Sequence, residues 1–371
     1  MSVSRETFVP PALVHLTKQL DALQVSHQLR ERSEPLDDVV SFCSNDYLGL
    51  ARTGGAGASR LVAGERRAHR QLEQTLASWL KVEQTLLFSS GYAANVGVLT
   101  SLIGETDRVV SDQLNHASII DGLRLTRADV VVTPHLDIAS MHRAISERRG
   151  SRAWVVTETY FSMDADTPPL AALRRLCNEH DAGLIVDEAH ALGVFGPDGR
   201  GLCARDGVVP DVLVGTLGKA LGVGGAFVAG CEPLIRWLWT RARSHVYSTG
   251  LSPLLASAAR ANLLEALENP ALRTGAIGLG ARFREEMKAL GANVKGHGPI
   301  VPWVLGSEEA ALDAAAAFRS AGIHVVAIRP PTVPSGGSRL RFTFTARHTA
   351  EDIERLLAVA RHVMECLPSS S

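Results

Sequence analysis

Seven short runs of apolar and β-branched residues occupy the middle of the chain, and they constrain the fold more than any other feature. They are TLLFSS (85–90), DRVVSD (107–112), DVVVTP (129–134), AWVVTET (153–159), GLIVDE (183–188), DVLVGT (211–216) and GAFVAG (225–230). Helical patterns near 91–103, 117–126, 138–148 and 169–180 lie between several of them. Apolar strands alternating with helices predict a mostly parallel seven-stranded sheet, covered on both faces, in an α/β domain. Ligand chemistry in such a sheet collects beyond the carboxyl ends of its strands. The residues just downstream of each run are therefore the first candidates for a site.

The flanks read differently. Leu13, Leu16, Leu20 and Leu23 fall at helical spacing and predict an amphipathic helix over about 11–33. A short strand near 38–43 leads into SNDYLGL, the small-residue stretch GGAGASRLVAG (54–64) reads as a loop, and a helix follows over about 69–80. Beyond residue 256 the pattern changes. Two helical stretches precede strands near 300–305, 322–328 and 339–345, with a terminal helix over 350–366, which predicts a smaller α+β domain. The expected organisation is an N-terminal helix and strand segment (1–50), a large domain (51–255) and a C-terminal domain (256–371).

Composition removes several function classes. A formal net charge of -1 with interspersed signs supplies no electrostatic reason for a nucleic acid or an anionic membrane as partner. Five scattered cysteines, without a C-x-x-C pair, argue against a disulfide framework and a structural zinc site, so no metal is expected. No apolar run is long enough for a membrane span, and the N-terminus lacks the pattern of a secretory signal; a cytoplasmic enzyme is the expectation.

Two stretches carry most of the chemistry. In GLIVDEAHALG a buried strand ends at Asp187, with His190 three residues on. A carboxylate buried there needs a cationic or hydrogen-bonding partner; it could equally cap the next loop or pair with an arginine. In DVLVGTLGKALGVGG a strand delivers Thr216 and then Lys219 into a Gly-rich loop. Only five of the 38 basic residues are lysine, so a lysine there stands out. Its amine can deprotonate and form an imine, which arginine cannot do. A solvated loop lysine is the plainer alternative.

Three further segments are weaker alone. LLFSSGYAAN sets Ser90, Gly91 and Tyr92 at a helix start, which suits a phosphate or is ordinary capping. DQLNHASIIDG puts His116 at another helix start, and TETYFSMDAD places Ser162 in a turn. Together the Asp and the Lys after successive strands are what a pyridoxal phosphate site requires. The carboxylate keeps the pyridine nitrogen protonated, and the lysine holds the aldehyde. At an effective dielectric near 20 such a pair at ~4 Å is worth about 4 kcal/mol, or about three pKa units.

SNDYLGL, SGYAAN, NHASIIDG, FSMDADTPPL, VDEAHALGVFG, TLGKALG and YSTGLSP resemble, in order, the motifs of the α-oxoamine synthases. The resemblance implies the aspartate-aminotransferase-like fold (fold type I) with pyridoxal 5'-phosphate as cofactor. It makes Lys219 the imine lysine and Asp187 the partner of the pyridine nitrogen, with His116 stacking on the ring. His190 and Ser162 match positions at the phenolic oxygen. Gly91, Tyr92 and Thr216 match the phosphate side, and Thr249 resembles a residue reaching the phosphate of a neighbouring subunit, which implies a homodimer. Asn45 and Arg341, with Arg30 in a looser match, take substrate-binding positions. The implied activity joins an amino acid to an acyl thioester of coenzyme A or acyl carrier protein, with loss of carbon dioxide. Lys219 is then the general base and His116 a proton donor. Compact length, VDEAHALGVFG, YSTGLSP and PPTVPSG look most like the branch that condenses L-alanine with a pimeloyl thioester in biotin biosynthesis. Glycine C-acetyltransferase, 5-aminolevulinate synthase, a long-chain sphingolipid-type synthase and, more distantly, an aminotransferase are the alternatives. Two departures stand out: the segment after YLGL is shorter than usual by roughly one helix, and GAGASR replaces a run of consecutive glycines.

Overall fold

The computed structural model describes residues 8–32, 51, 54–148, 150 and 152–366. The strand expected near 38–43, the SNDYLGL motif and Asn45 lie outside the described residues. The chain divides into two compact units, one of residues 1–159 and 168–268, the other of 160–167 and 269–371.

In the first unit a 3-10 turn (Pro11–Leu13) leads into Val14–Val25 (α1), followed by a π-helical turn (Arg60–Gly64) and Arg67–Leu80 (α2). Then strands and helices alternate as the sequence predicts: Gln84–Phe88 (β1), Gly91–Leu102 (α3), Arg108–Asp112 (β2), Ala117–Thr126 (α4), Asp129–Thr133 (β3), Ile138–Ser146 (α5), Ala153–Glu158 (β4), Leu170–Glu179 (α6) and Ala182–Asp187 (β5). Gly201–Arg205 (α7), Val212–Thr216 (β6), Ala226–Gly230 (β7), Glu232–Arg241 (α8), Arg243–Val246 (α9) and Pro253–Glu268 (α10) complete the unit.

The strand order is β1-β7-β6-β5-β4-β2-β3. Pairings from β6 through β5, β4 and β2 to β3 are parallel, whereas β7 runs antiparallel to both neighbours. Six strands therefore point one way and only β7 is reversed. The mostly parallel α/β sheet expected from the β-branched runs is the sheet found. Its β4 and β5 are buried along their whole length, which explains their unbroken apolar runs.

Two local expectations need correction. The first helix stops at Val25 rather than near 33, because His27 adopts a left-handed φ of 56° that an α-helix cannot continue through. The stretch over 54–64 is not loop throughout. The Ser59 carbonyl accepts from the amides of Val62, Ala63 and Gly64, closing the π-helical turn. A Cβ at Gly64 would stand 2.1 Å from the Ala58 carbonyl oxygen, so only glycine ends it.

That turn buries Arg60. Its guanidinium reaches Glu65 at 2.6 Å and Glu73 at 2.7 Å, and Arg32 adds a further contact to Glu73 at 2.8 Å. Arg60 pulls the Glu73 carboxyl far below the ordinary carboxylate range against the opposing cost of burial. A compensated cluster of this kind is a specificity device more than a source of net stability.

The second unit holds Ala271–Ala289 (α11), Ile300–Gly306 (β8), Glu308–Ser320 (α12), Val326–Ile328 (β9), Ser338–Thr343 (β10) and Ala350–Cys366 (α13). The antiparallel sheet β8-β10-β9 packs Phe342 at 4.8 Å from Phe283 and 5.4 Å from Phe318, ring centre to ring centre. This unit starts at Asn269, not at 256, because α10 buries Ala256, Ala259 and Leu263 within the first unit. It also recruits 160–167, where Arg339 pairs with Asp164 at 2.8 Å and Thr167 bonds His297 at 2.7 Å. Cys177, Cys203 and Cys231 are buried free thiols whose pKa values burial raises. No helix among the described residues is long and apolar enough to cross a membrane.

Removing one member of the Arg60 cluster leaves buried carboxylates unpaired. Arg60→Ala should cost about 3–5 kcal/mol in urea unfolding of the protein; a loss below about 1 kcal/mol would show the cluster to be energetically idle.

Candidate active site

Because six strands share one direction, their carboxyl ends line up along one edge of the sheet. Ser90 and Gly91 follow β1, and His116 follows β2. Glu158 ends β4, Asp187 ends β5 and Thr216 ends β6. The register pairs Glu158 with Asp187, and Asp187 with Val214 on the strand that carries Thr216.

Asp187 is 8% exposed and is held from two sides. Its Oδ2 accepts from Asn95 Nδ2 at 2.7 Å, and its Oδ1 accepts from the Ala189 amide at 2.8 Å. The same Asn95 amide donates to Ser118 Oγ at 2.9 Å. Ser118 in turn faces His116 Nδ1, with Oγ at 2.8 Å and its amide at 3.2 Å. Since the amide is a donor, Nδ1 is the acceptor and the His116 ring proton belongs on Nε2. One continuous chain of hydrogen bonds thus links Asp187, Asn95, Ser118 and His116.

Glu158, buried at the end of β4, lies in register beside Asp187. The Asn115 side chain anchors its backbone amide at 3.1 Å. Burial, then the nearby Asp187 charge, push its carboxyl up to about 8, against the lowering effects of the His116 amide and Lys219.

Lys219 rides on a loop that is closed on itself. Leu217 N donates to the Gly225 carbonyl at 2.9 Å, Val223 N to the Leu217 carbonyl at 2.8 Å, and Gly222 N to the Lys219 carbonyl at 3.0 Å. Thr216 Oγ1 accepts from the Gly218 amide and donates to the Gly225 carbonyl, both at 3.2 Å. Lys219 is exposed at the loop's tip. The turn after Asp187, which holds His190, presses on this loop: Gly193, at φ 79°, lies so near that a Cβ there would meet the Ala220 Cβ at 2.6 Å.

Helix α3 starts beside Thr216, whose Oγ1 would lie 4.0 Å from a Cβ on Gly91. Ser90 caps the helix by accepting from the Ala93 amide at 3.1 Å. Tyr92 is half exposed and donates to Asp121 at 2.5 Å. A helix N-terminus with a threonine hydroxyl next to it is a favourable anion site.

Thr249 is exposed on the loop before α10, next to Gly250, whose amide donates to the Ala58 carbonyl at 2.9 Å. Arg30 is exposed just beyond α1. Ser162 and Arg341 belong to the second unit, where Arg341 Nε donates to the Ser162 carbonyl at 2.7 Å. The structure therefore gathers Gly91, Tyr92, His116, Asp187, His190, Thr216 and Lys219 along one sheet edge, and joins Ser162 to Arg341 in the other unit. The sequence reading assigned no task to Asn95, Ser118 or Glu158. Asn95 and Ser118 sit inside the quoted motifs SGYAAN and NHASIIDG, so a signal was present without a role attached.

An amine at a loop tip, a buried carboxylate on the adjacent strand end and a helix N-terminus with Thr216 make a donor set that fits an aromatic aldehyde bearing a phosphate.

Known proteins agree with this architecture. The family model described as aminotransferase class I and II matches residues 37–359. An 8-amino-7-oxononanoate synthase from Anaeromyxobacter dehalogenans (strain 2CP-1) is 48% identical over 89% of this chain and 87% of its own length. One from Chromobacterium violaceum is 41% identical over 93% of this chain and 97% of its own. Among solved structures, serine palmitoyltransferase from S. paucimobilis, with bound PLP and myriocin, shares the fold at a TM-score of 0.82 and 24% identity, covering 95% of this chain and 98% of that one. The 8-amino-7-oxononanoate synthase of Francisella tularensis superposes at a TM-score of 0.72 and 26% identity, over 89% of this chain and 99% of that one. The chain belongs to the aminotransferase class I and II family, in its α-oxoamine synthase group.

Proposed function

We propose that this chain is a pyridoxal phosphate-dependent acyltransferase that condenses L-alanine with a pimeloyl thioester to give 8-amino-7-oxononanoate, carbon dioxide and free thiol, a step of biotin biosynthesis. The observation that carries the reading is the hydrogen-bonded chain from Asp187 through Asn95 and Ser118 to His116, set beside the Lys219 loop. Its chemistry matches the activity named for the relatives that cover nearly the whole chain. The thioester is carried by coenzyme A or an acyl carrier protein, and the working unit is a cytoplasmic homodimer.

When bound, pyridoxal phosphate supplies an electron-accepting ring that stabilises negative charge at the amino acid Cα. Asp187, oriented by Asn95 and the Ala189 amide, holds a proton at the pyridine nitrogen. The amides at Gly91 and Tyr92, with the Thr216 hydroxyl, would hold the phosphate, and Thr249 would serve it in the neighbouring subunit. His190 and Ser162 serve the phenolic oxygen. Lys219 would hold the aldehyde, and its free amine would take the Cα proton of the amino acid.

A carbon–carbon bond then forms between the alanine Cα and the thioester carbonyl, and the carbon–sulfur bond breaks to release thiol. Loss of the alanine carboxylate as carbon dioxide follows, and Lys219 returns a proton to Cα. His116, with its ring proton on Nε2, donates to the acyl oxygen. His116 would also cover the cofactor's ring. The family resemblance assigns the substrate carboxylate to Arg341, with Asn45 and Arg30. Glu158 sits next to Asp187 with a carboxyl whose pKa is raised to about 8, so near pH 7 it adds no second negative charge beside Asp187.

Three outcomes test this reading. Lys219→Ala should abolish thiol release from L-alanine plus pimeloyl thioester, together with the visible absorbance of the bound cofactor. Retained turnover refutes the assignment, and conversion of the cofactor to its amine by alanine alone, without thiol release, would instead mark an aminotransferase. Asn95→Ala removes a hydrogen bond to a charged group, typically worth about 1.5–3 kcal/mol. Cofactor affinity in an equilibrium titration should therefore fall roughly 10–100-fold. Glu158 has a raised pKa in the fold, so its destabilising effect is absent below the ordinary carboxylate range, grows as pH rises from about 4.5 to about 8, and is constant above that. The apoprotein of Glu158→Gln should accordingly melt above the parent at pH 8 and converge with it near pH 4.5; parallel melting curves across that window would contradict a neutral Glu158.

A further inference from the structure

The seam between α5 and α6 brings together three ligand-type side chains that the condensation chemistry does not use. His142 on α5, Glu179 at the end of α6 and His180 just after it each offer one donor atom, and the three atoms lie within 4.8 Å of one another. His142 and Glu179 are exposed and His180 is half-buried, so a cation can reach them. The two imidazoles meet edge to face, with ring centres 5.1 Å apart. We propose that His142, Glu179 and His180 form a surface site for a divalent first-row transition cation of borderline softness, Zn2+ being the best match, with water completing the coordination shell.

Three features of this corner point to a cation. Ser146 Oγ donates to the His142 carbonyl at 2.8 Å and stands 3.4 Å from His142 Nδ1. With its proton committed to the carbonyl, Oγ can only accept from Nδ1–H, which leaves a lone pair on Nε2 for a metal. Glu179 and His180 occupy the C-terminal end of α6, the negative end of the helix dipole. Two imidazoles and one carboxylate are, moreover, a common three-ligand set for zinc with an open fourth position. A tetrahedral ion with ligands at about 2.0–2.1 Å spaces its donors about 3.3–3.4 Å apart, so rotation of surface side chains suffices to close the triangle. Arg148 opposes this attraction. Its Nη1 donates to the His180 carbonyl at 2.8 Å, bringing a positive charge to the same turn.

The topology puts this site away from the chemistry. Helix α6 starts after β4, on the side of the strand carboxyl ends, and finishes just before β5 begins at Ala182. Its C-terminal end is therefore at the opposite edge of the sheet. A metal there clamps α5 to α6 without touching the residues at the strand ends.

Titration of the holoenzyme with Zn2+ alone, followed by calorimetry, should give one equivalent per chain. Co2+ in its place should give the visible bands of a low-coordinate site, at longer wavelength than the cofactor absorbs. His142→Ala and Glu179→Gln, both at exposed positions, should each weaken the uptake at least tenfold while leaving condensation of alanine with the thioester unchanged. Equal affinity and stoichiometry in the parent and both variants would place the metal elsewhere and overturn the proposal. So would the absence of binding to the parent at about millimolar Zn2+, far weaker than zinc sites of this ligand type.

Discussion

The architecture of the site depends on how a buried carboxylate is held at the end of β5. Burying an acidic side chain without partners costs several kcal/mol, so Asp187 needs donors fixed in place before any ligand arrives. One comes from its own chain two residues on, the Ala189 amide, and the other from Asn95, on the helix that follows β1. The Asn95 amide also donates to Ser118, at the start of α4. Orienting the carboxylate therefore also fixes α3 against α4 and sets the tautomer of His116. The same few bonds define the acid end and the donor end of the site.

A second set of constraints holds the loop that carries Thr249. His69 accepts the Arg66 amide at Nδ1, at 3.1 Å, so its Nε2 is the donor to the Leu251 carbonyl at 2.7 Å. Gly250 donates to the Ala58 carbonyl, and Ser252 Oγ donates to the Gly54 carbonyl. The small-residue stretch 54–64 is thus a seat for the loop over 249–252, and its π-helical turn puts Arg60 under that loop. A Cβ on Gly250 would lie 2.9 Å from Arg60 Cγ, so loop and buried cation are in close contact. His245, buried beside Arg60, is held neutral, its pKa pushed down to about 3 by burial and then by that charge. Arg60 is compensated by Glu65 and Glu73, and His245 beside it carries no charge. Gly-Ala-Ser in place of a glycine run is compatible with this, because the contacts are made by backbone carbonyls.

How much of this could be read from residues alone follows from the range of each interaction. Strands β2, β4, β5 and β6 are legible because burial on both faces demands unbroken apolar runs, whereas β3 keeps such a run at the half-exposed sheet edge; Asp187 and Lys219 stand out as polar residues shortly after buried runs. The roles of Asn95 and Ser118 are not legible in the same way. Asn95 acquires its meaning from an aspartate 92 residues away and Ser118 from an asparagine 23 residues away, and no local pattern encodes either distance. Glu158 reads as the polar end of an apolar strand; only the register that sets it against Asp187 gives it an unusual proton affinity. The segment over 160–167 shows the same limit. Its turn is legible, but its allegiance to the second unit rests on Arg339 and Arg341, more than 170 residues on. The boundary expected near 256 falls inside α10 for a related reason: composition changes there, yet α10 still buries its small apolar face in the first unit.

A parallel sheet also separates what its two edges can do. All six aligned strands end where Ser90, His116, Glu158, Asp187 and Thr216 are found, so polar residues accumulate at one edge because the chain must leave every strand there. The other edge receives the returning helices, whose C-terminal carbonyls face solvent and favour positive charge. Anion-binding helix starts and cation-favouring helix ends are consequently sorted to opposite sides by the same crossover connection. The proposed phosphate seat at the Gly91 end of α3 and the proposed cation site at the Glu179 end of α6 would be two expressions of that one topology. In this fold a positively charged ligand near the helix ends and a phosphate near the helix starts need not compete, since the sheet itself stands between them.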